Sequence, residues 1–309
     1  MPVLTEKTLL AFLQSHFDER ADHITLLGAG MFSQAFSFVV GESQYAVRVS
    51  ECLEDFQKDA FARAHFASAL LPIPPVIRTE RFDETRYACV TERCAGKTLK
   101  DNNNADDAQV VPHLFDVLDA IHSIDVSGSC GWGLDVNGNG RFASWEESLL
   151  AFYNQKFDYD WDALARKSFF DAGLFDEFLA EMKRLLPYCS SRRYLIHRDF
   201  GFDNVVADGE HVTGVLDWAE FGYGDFLYDV AYLDYYSQEI PYGDLWCARS
   251  GTIPYFQERM QCYMLNIGLH SLGIAGTLND KRAFTRESER MKSVLLPTRR
   301  APTDWTQEI

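Results

Sequence analysis

The sequence has no apolar run near the ~18 residues that span a bilayer, and its N-terminal segment mixes charges into an apolar pattern. We therefore expect neither a membrane segment nor a secretory signal. Positive charge is scarce as well, because 29 Lys and Arg against 46 Asp and Glu give a formal net charge of −17. Such a surface repels phosphate backbones and anionic lipids, so we expect no nucleic-acid partner and no membrane partner.

The seven cysteines form no CxxC pair and no cluster with histidine at zinc spacing, and their odd number argues against a disulfide framework. We expect reduced thiols and a cytoplasmic location. Internal repeats are absent too, and nothing in the sequence indicates a protein partner.

The hydrophobic pattern changes along the chain. The elements predicted before residue 94 are a helix on the Leu9, Leu13 and Phe17 stripe, a hairpin at 35–40 and 45–49, a helix at 56–70 and a strand at 87–92. From Val111 onward helical spacing dominates, with long segments near 145–155 and 172–186. The pattern predicts an α+β protein with a small β-rich part at 1–93 and a mainly helical part at 94–309.

The strongest signal interrupts the helical part. Residues 197–204 read HRDFGFDN, which fits the H-R-D-x-x-x-x-N loop with which phosphoryl-transfer enzymes hold a catalytic Asp and a metal-binding Asn. For any one of these residues alone, a satisfied core histidine or a solvated loop carboxylate is the alternative. Taken as a set with Asp217, they favour the functional interpretation.

The segments after this loop predict where its side chains lie. Apolar stretches at 205–207 and 211–216 flank a tight polar turn and predict an antiparallel hairpin. Asn204 and Asp217 then meet at the open end of the hairpin. Two oxygen ligands there, close to Asp199, predict a site for the Mg²⁺ that bridges nucleotide phosphates.

A glycine-containing turn, GAGMFS at 28–33, is a candidate for covering those phosphates with Gly28, Gly30 and Ser33. The next segment is predicted as a strand, whereas a dinucleotide-binding fold requires a helix there, so the turn argues against a Rossmann domain. An ordinary hairpin turn is the alternative.

Five segments carry a resemblance to one enzyme family. They are AFSF at 35–38, HFASA at 65–69, LPIP at 71–74, HRDFGFDN at 197–204, and YML with IGL within 263–269. With them the chain resembles the protein-kinase-like aminoglycoside phosphotransferases, most closely the hygromycin B phosphotransferases. The resemblance implies a two-lobed kinase-like fold, with a nucleotide-binding lobe at 1–93 and a catalytic and substrate lobe at 94–309.

The resemblance also implies the cofactors and the roles of the site residues. ATP would lie in the cleft, with its adenine held by main-chain groups of the linker from Glu92 to Cys94. Asp199 would be the base that deprotonates the substrate hydroxyl. The remaining assignments are Mg²⁺ on Asn204 and Asp217, and support of the loop by His197 and Asp229.

Some positions depart from the family pattern. Arg48 stands where most of these enzymes place a phosphate-binding Lys; it keeps the charge and adds a bidentate fork. Asp59 is the candidate for its carboxylate partner. Phe226 replaces the proline of the family's G-D-P-x-x-D segment. A protein kinase would carry D-F-G at Asp217 and a later A-P-E, and the chain has neither, so a small-molecule acceptor is expected.

The acidic charge bears on the acceptor. The resemblance implies a cationic aminoglycoside of the hygromycin B type, phosphorylated on one hydroxyl with resistance as the result. Asp203 and Glu220 are the predicted substrate contacts, with further acidic residues expected around the cation, namely Asp225, Glu239 and Asp244. A kinase of choline, homoserine or a thiosugar, or a catalytically silent kinase-like binding protein, remains open at this stage.

A competing motif lies outside this set. Residues 135–146 match the calcium-binding loop of an EF-hand, D-x-[DN]-x-[DN]-G-x5-E, from Asp135 to Glu146. An EF-hand needs a helix that enters the loop, and the glycine-rich segment 128–133 is a poor helix former. Ser144 and Glu147 also fit a capping box. We therefore expect no calcium site.

Overall fold

The computed structural model describes residues 4–30, 33–101, 104–154, 159–237 and 239–295. The chain divides into two compact units, one of Met1–Ile124 and Asp199–Phe221 and one of Asp125–Arg198 and Gly222–Ile309. These units are defined by packing, whereas the boundary between 93 and 94 separates predicted functional lobes and stays a prediction. Within the described ranges, no helix is both long and apolar enough to cross a membrane.

The first unit is built on a five-stranded antiparallel sheet with the order β1-β2-β3-β5-β4. The strands are β1 (Ala21–Ala29), β2 (Ser33–Val40), β3 (Ser43–Ser50), β4 (Val76–Arg81) and β5 (Tyr87–Glu92). Helix α1 (Glu6–His16) buries Leu9 and Leu13 against the sheet, as its apolar stripe predicts.

The predicted hairpin is present, and its register follows from the side-chain alternation. Phe36 and Phe38 of β2 point into the core together with Val47 and Val49 of β3. The connecting turn is shorter than predicted, since pairing continues to Val40 and Ser43. The two-residue turn between them begins with Gly41 at a φ of 62°, which suits a glycine.

Two helices and a small sheet complete the first unit. They are α2 (Leu53–Phe66), α3 (Asn104–His122), β6 (Lys97–Thr98), β10 (Val205–Asp208) and β11 (His211–Val215), with the sheet order β11-β10-β6. Helix α2 begins and ends earlier than the predicted 56–70, and it ends at Phe66 because Ala67 leaves the helical region and Ser68 bonds to Leu71. The sequence-based expectation also missed β4.

The second unit is mainly helical, as predicted. Its helices are α4 (Trp145–Asn154), α5 (Trp161–Ala165), α6 (Ala172–Leu185), α7 (Leu227–Tyr236), α8 (Tyr242–Ser250), α9 (Phe256–Thr277) and α10 (Lys281–Leu295). A four-stranded sheet with the order β8-β7-β12-β9 combines β7 (Trp132–Val136), β8 (Asn139–Phe142), β9 (Tyr194–Ile196) and β12 (Gly222–Gly224).

A buried ion pair ties β12 to α9. Asp225 is fully buried and accepts hydrogen bonds from Arg259 Nε at 2.8 Å, from Arg259 Nη2, and from the Tyr263 hydroxyl. The prediction that Asp225 surrounds the acceptor cation is therefore wrong, because the counter-ion of this carboxylate is an arginine of its own chain. Glu239 and Asp244, by contrast, are exposed.

We expect Asp225→Ala to lower the free energy of unfolding by about 3–5 kcal/mol, because it leaves Arg259 buried without its counter-ion. Urea unfolding followed by circular dichroism measures the change. The matched control is Asp244→Ala, which removes an exposed carboxylate and should stay within about 0.5 kcal/mol of the wild type. Equal stability of the two variants would contradict the structural role.

Candidate active site

The β10–β11 hairpin positions the predicted metal ligands. Val205 pairs with Val215, and the Leu216 N–H donates to the Asn204 carbonyl at 2.8 Å. Asn204 and Asp217 thus stand at the open end of the hairpin, as the sequence predicts. Asp217 adopts a left-handed conformation with a φ of 58°, which turns the chain out of the strand.

The HRDFGFDN loop is held by hydrogen bonds of its own. The Gly201 N–H donates to the Asp199 carbonyl at 2.8 Å, and the Asn204 N–H donates to the Gly201 carbonyl at 3.0 Å. The Asn204 amide group donates both to the Asp199 carbonyl at 2.9 Å and to Asp199 Oδ2 at 2.7 Å. The structure therefore brings the predicted base and the predicted metal-binding Asn into direct contact.

The backbone that leads into Asp199 is anchored within the second unit. Asp229, fully buried, accepts the His197 N–H at 3.0 Å and the Arg198 N–H at 2.8 Å with its two carboxylate oxygens. Arg198 has a φ of 70°, a conformation that costs a non-glycine residue energy. These two bonds hold the strained turn, which is the support expected of Asp229, and His197 is buried beside it.

Arg48 lies between two carboxylates. Its Nη2 is 2.6 Å from Asp59 Oδ2, and its Nη1 is 3.0 Å from Asp217 Oδ2. Burial disfavours the charged guanidinium, but Asp59 and Asp217 outweigh burial and raise the pKa of Arg48 above its usual value. Burial raises the pKa of Asp59 to about 6, with Arg48 opposing and Asp217 adding to the rise. Asp59, which the sequence suggests by its position as the partner of Arg48, is therefore a residue that contacts it.

Side chains of helix α2 also form hydrogen bonds with the backbone that follows Asp217. Asp59 Oδ1 accepts the Trp218 N–H at 2.8 Å, and Lys58 Nζ donates to the Ala219 carbonyl at 2.9 Å. Sequence reasoning missed Lys58, because its partner is a main-chain atom far along the chain. The adjacent charged residues at 58 and 59 are the feature of the sequence that could have indicated this contact.

The chemistry of the donor set fits a hard cation. The amide nitrogen of Asn204 is bonded to Asp199, so the oxygen of the same amide is the atom that remains for a metal. The Asp217 side chain is 34% exposed, and its carboxylate is an oxygen donor as well. Carboxylate and amide oxygens suit Mg²⁺.

The glycine turn lies between β1 and β2, which confirms the strand-turn-strand arrangement. Gly28 pairs with Ala35, and the Gly30 N–H donates to the Ser33 carbonyl at 2.8 Å. Met31 and Phe32, the centre of the turn, lie outside the described residues. The predicted contact of this turn with phosphates stays a prediction.

The linker after β5 packs against the hairpin. Glu92 pairs with Tyr45 at the end of β5, and Cys94 contacts Gly214 of β11 so closely that a Cβ at 214 would lie 2.4 Å from the Cys94 sulfur. Burial, with Glu92, raises the pKa of the Cys94 thiol to about 11, so the side chain is a neutral packing group. The predicted adenine contact through main-chain atoms of this linker stays a prediction.

The predicted substrate carboxylates lie at the surface of the first unit. Glu220 is exposed in the short 3₁₀ turn that follows Asp217. Asp203 is 64% exposed and forms an ion pair with Lys100 at 3.0 Å, a partner that the sequence does not indicate. Both assignments to the substrate stay predictions.

The EF-hand motif is folded as a β-hairpin. Asp135 lies in β7, accepts the Tyr223 hydroxyl at 3.0 Å and the Gly138 N–H at 3.2 Å, and is buried. Ser144 Oγ accepts the Glu147 N–H at 3.0 Å, as the predicted capping box requires, whereas Glu147 Oε2 accepts the N–H of Ala143, one residue before the cap, at 3.0 Å. In the described part of the chain, no group of three His, Cys, Asp or Glu is arranged to hold a metal.

Comparison with known proteins gives the family. The model of the phosphotransferase enzyme family matches residues 23–249. The hygromycin-B 4-O-kinase of Escherichia coli is 33% identical over 281 residues, which are 88% of this chain and 80% of that enzyme. The chain belongs to the phosphotransferase enzyme family.

Solved structures agree. Aminoglycoside phosphotransferase APH(4)-Ia matches with a TM-score of 0.83 at 29% identity, over 94% of this chain and 98% of that one. A thermostable mutant of it, in a ternary complex with AMP-PNP and hygromycin B, gives 0.82 at 29% identity over 93% and 97%. The GDP complex of aminoglycoside 2'-phosphotransferase-IIIa, 13% identical with a TM-score of 0.69 over 94% and 98%, shares the fold.

These matches confirm three predictions from the sequence. They are the family, the α+β kinase-like fold with a β-rich N-terminal and a helical C-terminal region, and the enzyme class, a phosphotransferase.

For the hairpin that carries the EF-hand motif, we expect calcium to leave the thermal unfolding midpoint unchanged and to show no micromolar binding by calorimetry. The reason is that the Asp135 carboxylate already accepts hydrogen bonds from the Tyr223 hydroxyl and the Gly138 N–H. Binding that disappears in Glu146→Ala would contradict this.

Proposed function

We propose that the protein is a Mg·ATP-dependent O-phosphotransferase that modifies one hydroxyl of a hygromycin B-like aminoglycoside and so confers resistance. The observation that carries the proposal is the contact between Asp199 and Asn204 in the HRDFGFDN loop, in a chain 33% identical to a hygromycin-B 4-O-kinase. A cytoplasmic location, where ATP and reduced thiols are both found, is part of the proposal.

The residues of the loop suit positioned base catalysis. Asp199 takes the proton of the acceptor hydroxyl as its oxygen attacks the terminal phosphorus of ATP, and the products are the phosphate ester and ADP. Asn204 holds Asp199 Oδ2 at 2.7 Å and thereby fixes the plane of the carboxylate. Asp229 fixes the backbone that leads to it.

Arg48 and Asp217 serve the nucleotide. We assign Asn204 and Asp217 as the ligands of Mg²⁺, which when bound neutralises charge on the phosphates. Arg48 offers a guanidinium fork to phosphate oxygens, and its contact with Asp59 orients it. Its 3.0 Å contact with Asp217 is exchanged for phosphate when nucleotide binds.

The acceptor is identified by its positive charge. An amino sugar carries ammonium groups, and Asp203 and Glu220 are exposed carboxylates on the segments that hold the two metal ligands. The formal net charge of −17 strengthens the attraction at low ionic strength.

Phosphorylation of hygromycin B with labelled ATP, followed by mass spectrometry of the product, tests the proposal. Expression in a sensitive bacterium should raise tolerance to the drug, and Asp199→Asn should remove that effect. If neither assay responds to hygromycin B or to a panel of aminoglycosides, the substrate claim fails, and choline, homoserine and thiosugars are the next acceptors to assay.

We expect Asp199→Asn to lower kcat by ~10²-fold or more with little change in the KM for ATP, because a positioned base contributes ~10²–10⁴ to the rate. Steady-state kinetics measures both constants. The control is Asp208→Asn, at the far end of β10, which should retain full activity. Near-normal turnover in Asp199→Asn would remove the catalytic assignment.

For Arg48→Ala, we expect the KM for ATP to rise about ten-fold or more, because hydrogen bonds to charged groups contribute about 1.5–3 kcal/mol. Arg48→Lys should restore part of the loss, since a point charge replaces the fork. Arg78→Ala, on the exposed face of β4, controls for loss of a positive charge in the same sheet. Unchanged ATP kinetics in Arg48→Ala would refute the role.

A further inference from the structure

The short segment around Lys100 runs along the catalytic loop in a fixed register. Thr98 pairs with Val206 in the small sheet, and the Lys100 N–H donates to the Phe202 carbonyl at 3.0 Å. Lys100 is therefore held opposite Asp203 by main-chain bonds rather than by a chance meeting of two flexible side chains. Its Nζ lies 3.0 Å from Asp203 Oδ2.

The ion pair itself is weakly held. The side chains of Lys100 and Asp203 are 65% and 64% exposed, and exposed pairs of this kind contribute little to stability. A second ammonium group that reaches the same carboxylate can therefore replace Lys100 at small cost. Asp203 immediately precedes Asn204, whose amide holds the proposed base Asp199, so the exchange occurs one residue along the chain from the group that holds the base.

We infer that Lys100 occupies the place of an acceptor ammonium group on Asp203 and sets the selectivity of the site for cationic acceptors. The inference rests on the proposed function. An acceptor with an ammonium group near its reacting hydroxyl displaces Lys100 and forms an ion pair with the Asp203 carboxylate in its place. A neutral alcohol does not displace Lys100, so it forms no ion pair with Asp203.

Removal of Lys100 should consequently improve acceptor binding. We expect Lys100→Met to lower the KM for hygromycin B about two- to five-fold at low ionic strength, the range that an exposed ion pair covers, with the KM for ATP unchanged. Asp203→Asn should raise the KM for hygromycin B, and adding Lys100→Met to it should have no further effect.

Lys97→Met is the matched control, because it removes the same charge from the same segment at an exposed position that pairs with Ala207 through the backbone. It should change the KM for hygromycin B by less than about 1.5-fold, as expected of a long-range, screened effect. Calorimetric titration of hygromycin B into each variant in the presence of AMP-PNP gives affinity without turnover.

The outcomes separate the two proposals. If the wild type phosphorylates hygromycin B but Lys100→Met matches Lys97→Met, or acts equally in the Asp203→Asn background, the role of Lys100 is overturned and the proposed function stands. If hygromycin B binds without being phosphorylated, and more tightly to Lys100→Met alone, the proposed function fails and only the displacement of Lys100 by a bound ammonium group stands. Absence of binding to every variant overturns both.

Discussion

One mostly buried cation, whose side chain is 19% exposed, connects the parts of the proposed nucleotide site. Arg48 belongs to the central sheet, Asp59 to α2 and Asp217 to the segment after the hairpin, and both carboxylates contact the same guanidinium. A buried charge is tolerated only when it is paired, so the three elements are bound to a common geometry. The cation that suits phosphate in the proposed reaction is thus also the group that aligns its own surroundings.

At the entrance to the HRDFGFDN loop, carboxylate oxygens hold main-chain N–H groups. Asp229 holds the N–H groups of 197 and 198, and the left-handed turn at Arg198 is stable because both are fixed. Asn204 holds the carbonyl and the carboxylate of Asp199, and Asp229 holds the two residues that precede Asp199 in the chain. Positioning of this kind is what a general base needs.

The sequence predicts those features that depend on local pattern. The HRDFGFDN loop and the hairpin after it were predictable because a tight turn fixes the register, and the register brings Asn204 to Asp217. Asp59 was found by position alone. Asp225 was misjudged because burial of an acidic residue beside Arg259 depends on helix packing that no local pattern encodes.

Contacts between distant segments account for the other omissions. Strand β4 reaches the sheet through pairing with β5 and has little alternation of its own. The partner of Asp203 is Lys100, 103 positions earlier in the chain, and only the register of β6 against β10 brings them together. No spacing rule within either segment indicates such a pair.

The contacts between α2 and the segment after Asp217 determine which substitutions this segment tolerates. Lys58 and Asp59 bind a carbonyl and an N–H, so they recognise the path of the backbone and not the side chains at Trp218 and Ala219. The Trp218 side chain is held separately: its indole N–H donates to the Val215 carbonyl at 3.2 Å, and its ring system lies against Phe66 and Phe221. A substitution at Trp218 or Ala219 therefore leaves both backbone contacts with α2 available, so its cost comes from lost side-chain contacts and not from loss of the attachment.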